Sequence, residues 1–262
     1  MSKINPKPLW PIFWLNYLEP QRGIHLILWF YLISGILSLI AIRWKFARIA
    51  IFLASLEFSA LTNSFGKINH GGHILLFLSF IFIFLPDQWH VAKPKREVRA
   101  ATLLLFSSCQ VAILLTYTMS GFFKVVLIPI QAIQNQVHSL MPEALALQIA
   151  QRLVETDEIS VLGLWLINHY YLAWPLMLGT IYLQFFSLWA AFRPSLHQVW
   201  GLSLILFHLA THLTMTISFW QNCLWLALFL LNSPFRPHSF KGKQILRDLP
   251  LVNLLFMKYQ LV

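Results

Sequence analysis

Apolar residues along this chain gather into long blocks separated by short polar or basic breaks. A bilayer crossing takes about 20 mostly apolar residues. Ile24–Ile42 is the first block of that kind, closed by the basic and aromatic stop Arg43-Trp44-Lys45-Phe46-Ala47-Arg48. The second, Ile49–Asn63, is short and carries Glu57, and a polar stretch from Asn63 to His73 follows it. The third, Ile74–Leu85, ends at Pro86 and Trp89, ahead of the basic cluster Lys93-Pro94-Lys95-Arg96 with Arg99. The fourth runs from about Ala100 to Phe123, on toward Ile128, and contains Lys124. Leu172–Phe192, His197–Ile217 and Gln221–Leu231 are the remaining blocks. The pattern predicts an all-α, polytopic transmembrane helical bundle of about six or seven spans.

Between the fourth and fifth blocks, Gln131–Ser160 is the one long stretch too polar to span, with Glu143, Glu155, Asp157 and Glu158 against Arg152 alone. It predicts an amphipathic helix at about Glu143–Val154, outside the bilayer, and Val161–His169 reads as a half-span or re-entrant piece. The first 23 residues do not read as a signal peptide: Pro6, Pro8, Pro11 and Pro20 interrupt them, and Leu9–Leu18 is too short to span. Trp10, Trp14 and Tyr17 suit the headgroup level instead. The organisation is therefore an interfacial segment (1–23), a transmembrane domain (24–235) and a basic tail (236–262), in which Leu249–Phe256 is suited to the membrane surface.

Composition strengthens this picture. The chain of 262 residues is 58% hydrophobic and 11% charged, with a mean hydropathy of +0.67. A water-soluble domain carries about 25% charged residues. The net charge of +10 does not indicate nucleic acid, because the Lys and Arg residues sit in short clusters between apolar blocks and form no continuous stripe. Such clusters orient membrane proteins and meet anionic headgroups. Placing residues 43–48 inside also puts 93–99 and the tail inside, and 63–73 and 131–160 outside; Lys3, Lys7 and Arg22 then fall on the less favoured side. Cys109 and Cys223 lie in apolar runs with no CxxC spacing, so buried free thiols are expected and no metal site is predicted.

Counting spans places the ends of the second, fourth and sixth on one membrane side, where three polar clusters meet. The first is Asn69-His70-Gly71-Gly72-His73, whose glycines permit positive φ or close backbone approach at the mouth of a helix. Free amides at a helix start there would suit an anion or a carbonyl. An interfacial turn with solvated histidines is an equally good reading. The second is Tyr117-Thr118-Met119-Ser120-Gly121-Phe122-Phe123-Lys124. Desolvation favours the neutral amine of a lysine, and a neutral amine is a base; the plain alternative is snorkelling to headgroups. The third is Phe207-His208-Leu209-Ala210-Thr211-His212, with His208 and His212 one turn apart on a helix face. Hydrogen bonding between helices is the better reading of that pair, ahead of a metal or haem ligand set. Glu57 is a further candidate, as an acid within a span.

The order of these clusters resembles the horizontally transferred transmembrane (HTTM) domain family, to which the vitamin K-dependent gamma-carboxylase belongs. The resemblance rests on Glu19-Pro20-Gln21-Arg22-Gly23, on Asn69 to His73 with the run to Pro86, and on a Tyr-x-x-[Ala/Ser]-Gly-x-x-Lys pattern from Tyr117 to Lys124. It extends to Phe207-His208 and to Asn232-Ser233-Pro234, covering roughly residues 10–235. It implies catalytic roles for Lys124, as base toward a reduced quinone, for His70, which would assist, and for His208. The clusters themselves offer Asn69, Gly71, Gly72, His73, Tyr117 and His212 as the expected substrate-binding positions. A quinone or quinol would be the cofactor or substrate, and the partners a lipid bilayer and a lipophilic small molecule, with no nucleic acid. Gln184 stands in a span where the family often has an acid, and Phe123 where the carboxylase has a second lysine. Peptide carboxylation is not expected, since no large extramembrane substrate domain follows residue 235. Whether the chain is an enzyme stays open at this point: a non-enzymatic membrane partner or a small transporter is the alternative. A multi-pass protein of a bacterial plasma membrane is the expected setting.

Overall fold

The computed structural model describes residues 7–66, 70–237, 239 and 241–252. Among them every regular element is helical, and there is no strand. Three helices are long and apolar enough to cross a membrane: α1 (Pro20–Ala41), α2 (Lys45–Asn63) and α4 (Arg96–Ile133). A bent pair, α6 (Val161–Asn168) and α7 (Tyr170–Phe185), meets at 105° and would count as a fourth if taken together. The other elements are α3 (His73–Phe82), α5 (Ala144–Thr156), α8 (Ser187–Ala191), α9 (His197–Met215), α10 (Trp220–Leu226) and α11 (Gly242–Asp248). A π-helical turn, Ala227–Leu231, continues α10. Contacts divide the chain into two compact units, Met1–Ala112 and Ile113–Val262, with the boundary inside α4.

In the first unit, α1 pairs with α2, and α2 with α3. Pro20 begins α1, where its missing N–H costs nothing. One side of α1 is buried through Gly23, Ile27 and Ser34, while Leu26, Trp29, Ile33, Ile36 and Ile40 are exposed. The N-terminal segment is more than a headgroup-level anchor. Ile12 and Leu15, around a 3-10 turn at Phe13–Tyr17, pack with Ile27, Ala60 and Leu61, and Ser64 bonds the backbones of Lys7 and Leu9. Gly23 lies against the tip of the Leu15 side chain, which would have to turn aside to admit a Cβ there. Trp10 and Tyr17 are exposed, and Trp14 packs against the Ile12–Leu15 cluster.

Arg48 departs from its sequence-based reading as a topology-setting charge. It is only 2% exposed. Its Nη1 donates to the carbonyls of Ile42 (3.1 Å) and Arg43 (3.2 Å), its Nη2 donates to Leu85 O (2.9 Å), and Asp87 lies 3.5 Å away. The guanidinium thus joins the α1–α2 turn to the end of α3.

In the second unit, the expected amphipathic helix is α5. Its Ala144, Ala146, Ile149 and Leu153 are buried against α6, α7 and α9. Ser160 starts α6 by accepting from Gly163 N (2.8 Å), and it donates to Leu213 O (2.6 Å) at the far end of α9. The expected half-span is therefore a short helix fastened to α9. The tail beyond Arg236 is docked as well: Tyr182 donates to Pro250 O (2.9 Å), Trp189 donates to Asp248 O (2.8 Å), and Ser195 bonds the Asp248 carboxylate. Of the expected surface segment Leu249–Phe256, only residues 249–252 are described. Both cysteines are free, but only Cys109 is buried; Cys223 is half-buried.

Candidate functional site

Tyr117, Ser120, Gly121 and Lys124 recur at i, i+3, i+4 and i+7, which places them on one face of α4. That face meets α7, running antiparallel to it. Gly121 lies against the Phe185 backbone and Lys124 reaches Gln184, while Thr118, beside that face, accepts through Oγ1 from Leu188 N (2.8 Å) in α8. Val125, next along, packs on the cluster of Ala144, Met177 and Ile181. A methyl group at Gly121 would collide with the Phe185 backbone nitrogen. Small residues at such crossings let helix backbones approach closely, and here the approach brings Gln184 to the lysine.

Lys124 Nζ donates to Gln184 Oε1 (2.9 Å) and to Ser120 Oγ (3.0 Å), and Ser120 Oγ lies 3.4 Å from the same Gln184 oxygen. Gln184 is 4% exposed. Both acceptors are uncharged, and among the described residues no carboxylate pairs with Lys124. The ammonium-to-headgroup snorkel is therefore not the geometry adopted. The amine turns inward, to an amide and a hydroxyl.

About two turns back along the same face, Tyr117 Oη and His208 Nε2 lie 2.6 Å apart. Tyr117 is 6% and His208 5% exposed. Phe207 and Phe219 crowd the imidazole, with ring centroids 5.2 and 5.0 Å away. His208 Nδ1 is buried with no hydrogen-bond partner among the described residues. If the phenol donates to Nε2, Nδ1 carries an unused proton; if Nε2 donates, Nδ1 is an unused acceptor. An unpaired buried polar atom costs about 1–3 kcal/mol, so one that persists calls for a reason such as a ligand contact.

Of the residues singled out in the sequence, Tyr117 and Lys124 thus share one face of α4, and His208 of α9 meets that face at Tyr117. His212 does not join them. It is half-buried, its Nδ1 is 2.9 Å from Ser218 Oγ, and its ring lies beside Trp220. Among the described residues no third His, Cys, Asp or Glu completes a metal set with the two histidines.

The Asn69–His73 cluster belongs to the first unit. Asn69 lies outside the described residues, as does the side chain of His70. His70–Gly72 form a 3-10 turn leading into α3, and His73 is the first residue of that helix, 6.4 Å from the Phe77 ring. The expectation that its glycines serve an unusual backbone is corrected at Gly72, which has φ −87° and open space where a Cβ would go. The left-handed glycine of this loop is Gly66, at φ +90°.

Ser120 and Gln184 are the site residues that sequence reasoning did not select. Ser120 was legible as the small position of the Tyr-x-x-Ser-Gly-x-x-Lys pattern. Gln184 was visible as a polar residue inside an apolar block, but its partner was not. Compared with known proteins, the chain matches no protein-family model, no curated protein and no solved structure.

Proposed function

We propose that the chain is a polytopic membrane protein of about six or seven spans that binds a lipid-soluble hydroxyl compound, of which a quinol is the reference case, with Lys124 as proton acceptor. The observation that carries this reading is the inward-turned Lys124 amine, held by two neutral acceptors in an apolar helix. An ionisable side chain in such a helix is costly unless it serves a purpose. The neutral amine would take the proton of the bound hydroxyl. The products are an ammonium, which donates to Gln184 and Ser120, and an oxyanion on the substrate. His208 Nδ1, unpaired beside Tyr117, is available to a second polar group of the same ligand.

The resemblance to the HTTM family supports the same assignment, since the lysine of the carboxylase pattern falls on Lys124. A bacterial plasma membrane remains the proposed setting. Phe122, Phe123, Val126 and Leu127 are exposed beside Lys124, as suits a ligand that arrives through the bilayer. The test uses the full chain in lipid nanodiscs, with quinol and quinone binding and turnover measured for wild type and Lys124→Ala. A positioned acid or base contributes typically about 100-fold or more, so a loss of that size is expected, with the thermal transition unchanged. Binding and turnover that persist in the variant would end the proposal.

The 105° break between α6 and α7 favours one second reading, a small transporter, because broken helices frame many transport sites. That reading requires solute flux in proteoliposomes. Quinol binding without flux excludes it.

A further inference from the structure

The tail of the second unit builds a basic concavity at the start of α9. Ser195, Gln198, Lys241 and Gln244 line it together with the apolar Val199 and Ile245. Gln198 Nε2 donates to Leu231 O (3.4 Å), and the Arg236 guanidinium donates to the same oxygen (3.0 Å), so Arg236 stands at the rim. On the other side, Ser195 is bonded to Asp248, whose carboxylate lies 3.9 Å from the Arg247 guanidinium. Trp189 donates to the Asp248 carbonyl and carries Arg193 over its ring at 4.9 Å. From residue 193 to 252 the cations are Arg193, Arg236, Lys241, Lys243 and Arg247, and Asp248 is the sole acid. Asp248 is already engaged, so the excess positive charge around the concavity is uncompensated.

The concavity itself has room for about one water (≈ 10 Å³), so we infer that its mouth, where Lys241 lies with Gln198 and Gln244, is a phosphate site that takes the headgroup of an anionic phospholipid from the surface. Lys241 supplies the charge, and the side-chain amides of Gln198 and Gln244 supply donors, an arrangement suited to a phosphodiester. A lipid is the fitting source because the surroundings are amphipathic. Phe192 is exposed beside Arg193, and Leu246 and Leu251 are exposed on the same docked tail that carries Lys243 and Arg247. Exposed apolar side chains interleaved with cations mark a surface that rests in the headgroup layer.

The test is native mass spectrometry of the full chain in detergent, with phosphatidylglycerol or phosphatidylcholine added in turn. Wild type should retain phosphatidylglycerol in preference to phosphatidylcholine. Lys241→Glu should reduce that preference about tenfold, the effect of losing one charge-assisted contact, and Lys241→Arg should keep it. Lys95→Glu, an exposed cation of the first unit, should leave it unchanged. Equal retention of phosphatidylglycerol by wild type and Lys241→Glu would overturn the site. Displacement of the lipid by millimolar inorganic phosphate would overturn its assignment to a headgroup in favour of a free phosphate.

Discussion

Arg48 is 2% exposed, while its ion-pair partner Asp87 is 84% exposed, so the guanidinium is held by the three backbone carbonyls more than by the carboxylate. An exposed ion pair contributes little, whereas a buried carbonyl left without a donor costs about 1–3 kcal/mol. Arg48→Met should therefore lower stability by about that amount, and Asp87→Asn by well under about 1 kcal/mol. Thermal unfolding in detergent checks the ranking, and equal losses in the two variants would refute it. Arg48→Lys should behave more like Arg48→Met, because an ammonium cannot reproduce the planar fork that reaches all three oxygens. In the sequence Arg48 is indistinguishable from Arg43 or Lys45: a basic residue between two apolar blocks. What separates it is its position inside the first turn of α2, turned toward Leu85, a contact that spans 37 residues. Lys124 was legible, since a cation at the end of an apolar run stands out. Its partner Gln184, 60 residues away, was not.

At the scale of elements, the site depends on how closely α4 and α7 approach. Gly121 sets that distance, because a side chain there would strike backbone, which cannot move aside as a rotamer can. Overpacking of this kind costs about 1–3 kcal/mol. Gly121→Ala is expected to destabilise the chain by that amount and to weaken ligand binding at Lys124 as Gln184 is pushed away. Gly179→Ala, on α7 with open space around it, should do neither. Melting curves and the quinol-binding assay read both effects, and a Gly121→Ala protein with native stability and binding would contradict the close-packing argument. The elements themselves were largely visible beforehand. Hydrophobic blocks located α1, α2 and α4, and the 3.6-residue period located α5 within a residue or two of its observed ends. Helix lengths were less legible: α4 runs from Arg96 to Ile133, four residues before the expected Ala100 and five beyond even the Ile128 extension. At 38 residues it is about 57 Å long, nearly twice the thickness of a hydrocarbon core of about 30 Å. Hydropathy marks where a helix is apolar and says little about where its hydrogen bonding stops.

For the whole molecule, exposed apolar surface is the dominant feature. Leu39, Ile40, Phe46 and Phe84 in the first unit, and Val161, Leu206 and Leu224 in the second, are apolar side chains more than half exposed. Surfaces of this kind are stable against lipid and aggregate in water. Alkaline carbonate should therefore fail to release the chain from membranes, whereas detergent should extract it; release by carbonate would remove the membrane reading altogether. Composition and hydrophobic blocks determined that much unaided, because burying apolar surface in lipid depends on how much of it there is and on how long each block runs. Which polar side chains meet was decided by the tertiary structure alone. The Lys124–Gln184 and Tyr117–His208 contacts join residues 60 and 91 positions apart. Such pairs follow from helix rotation and closest approach, to which residues scattered along α4, α7 and α9 contribute together, and no local stretch of chain encodes them.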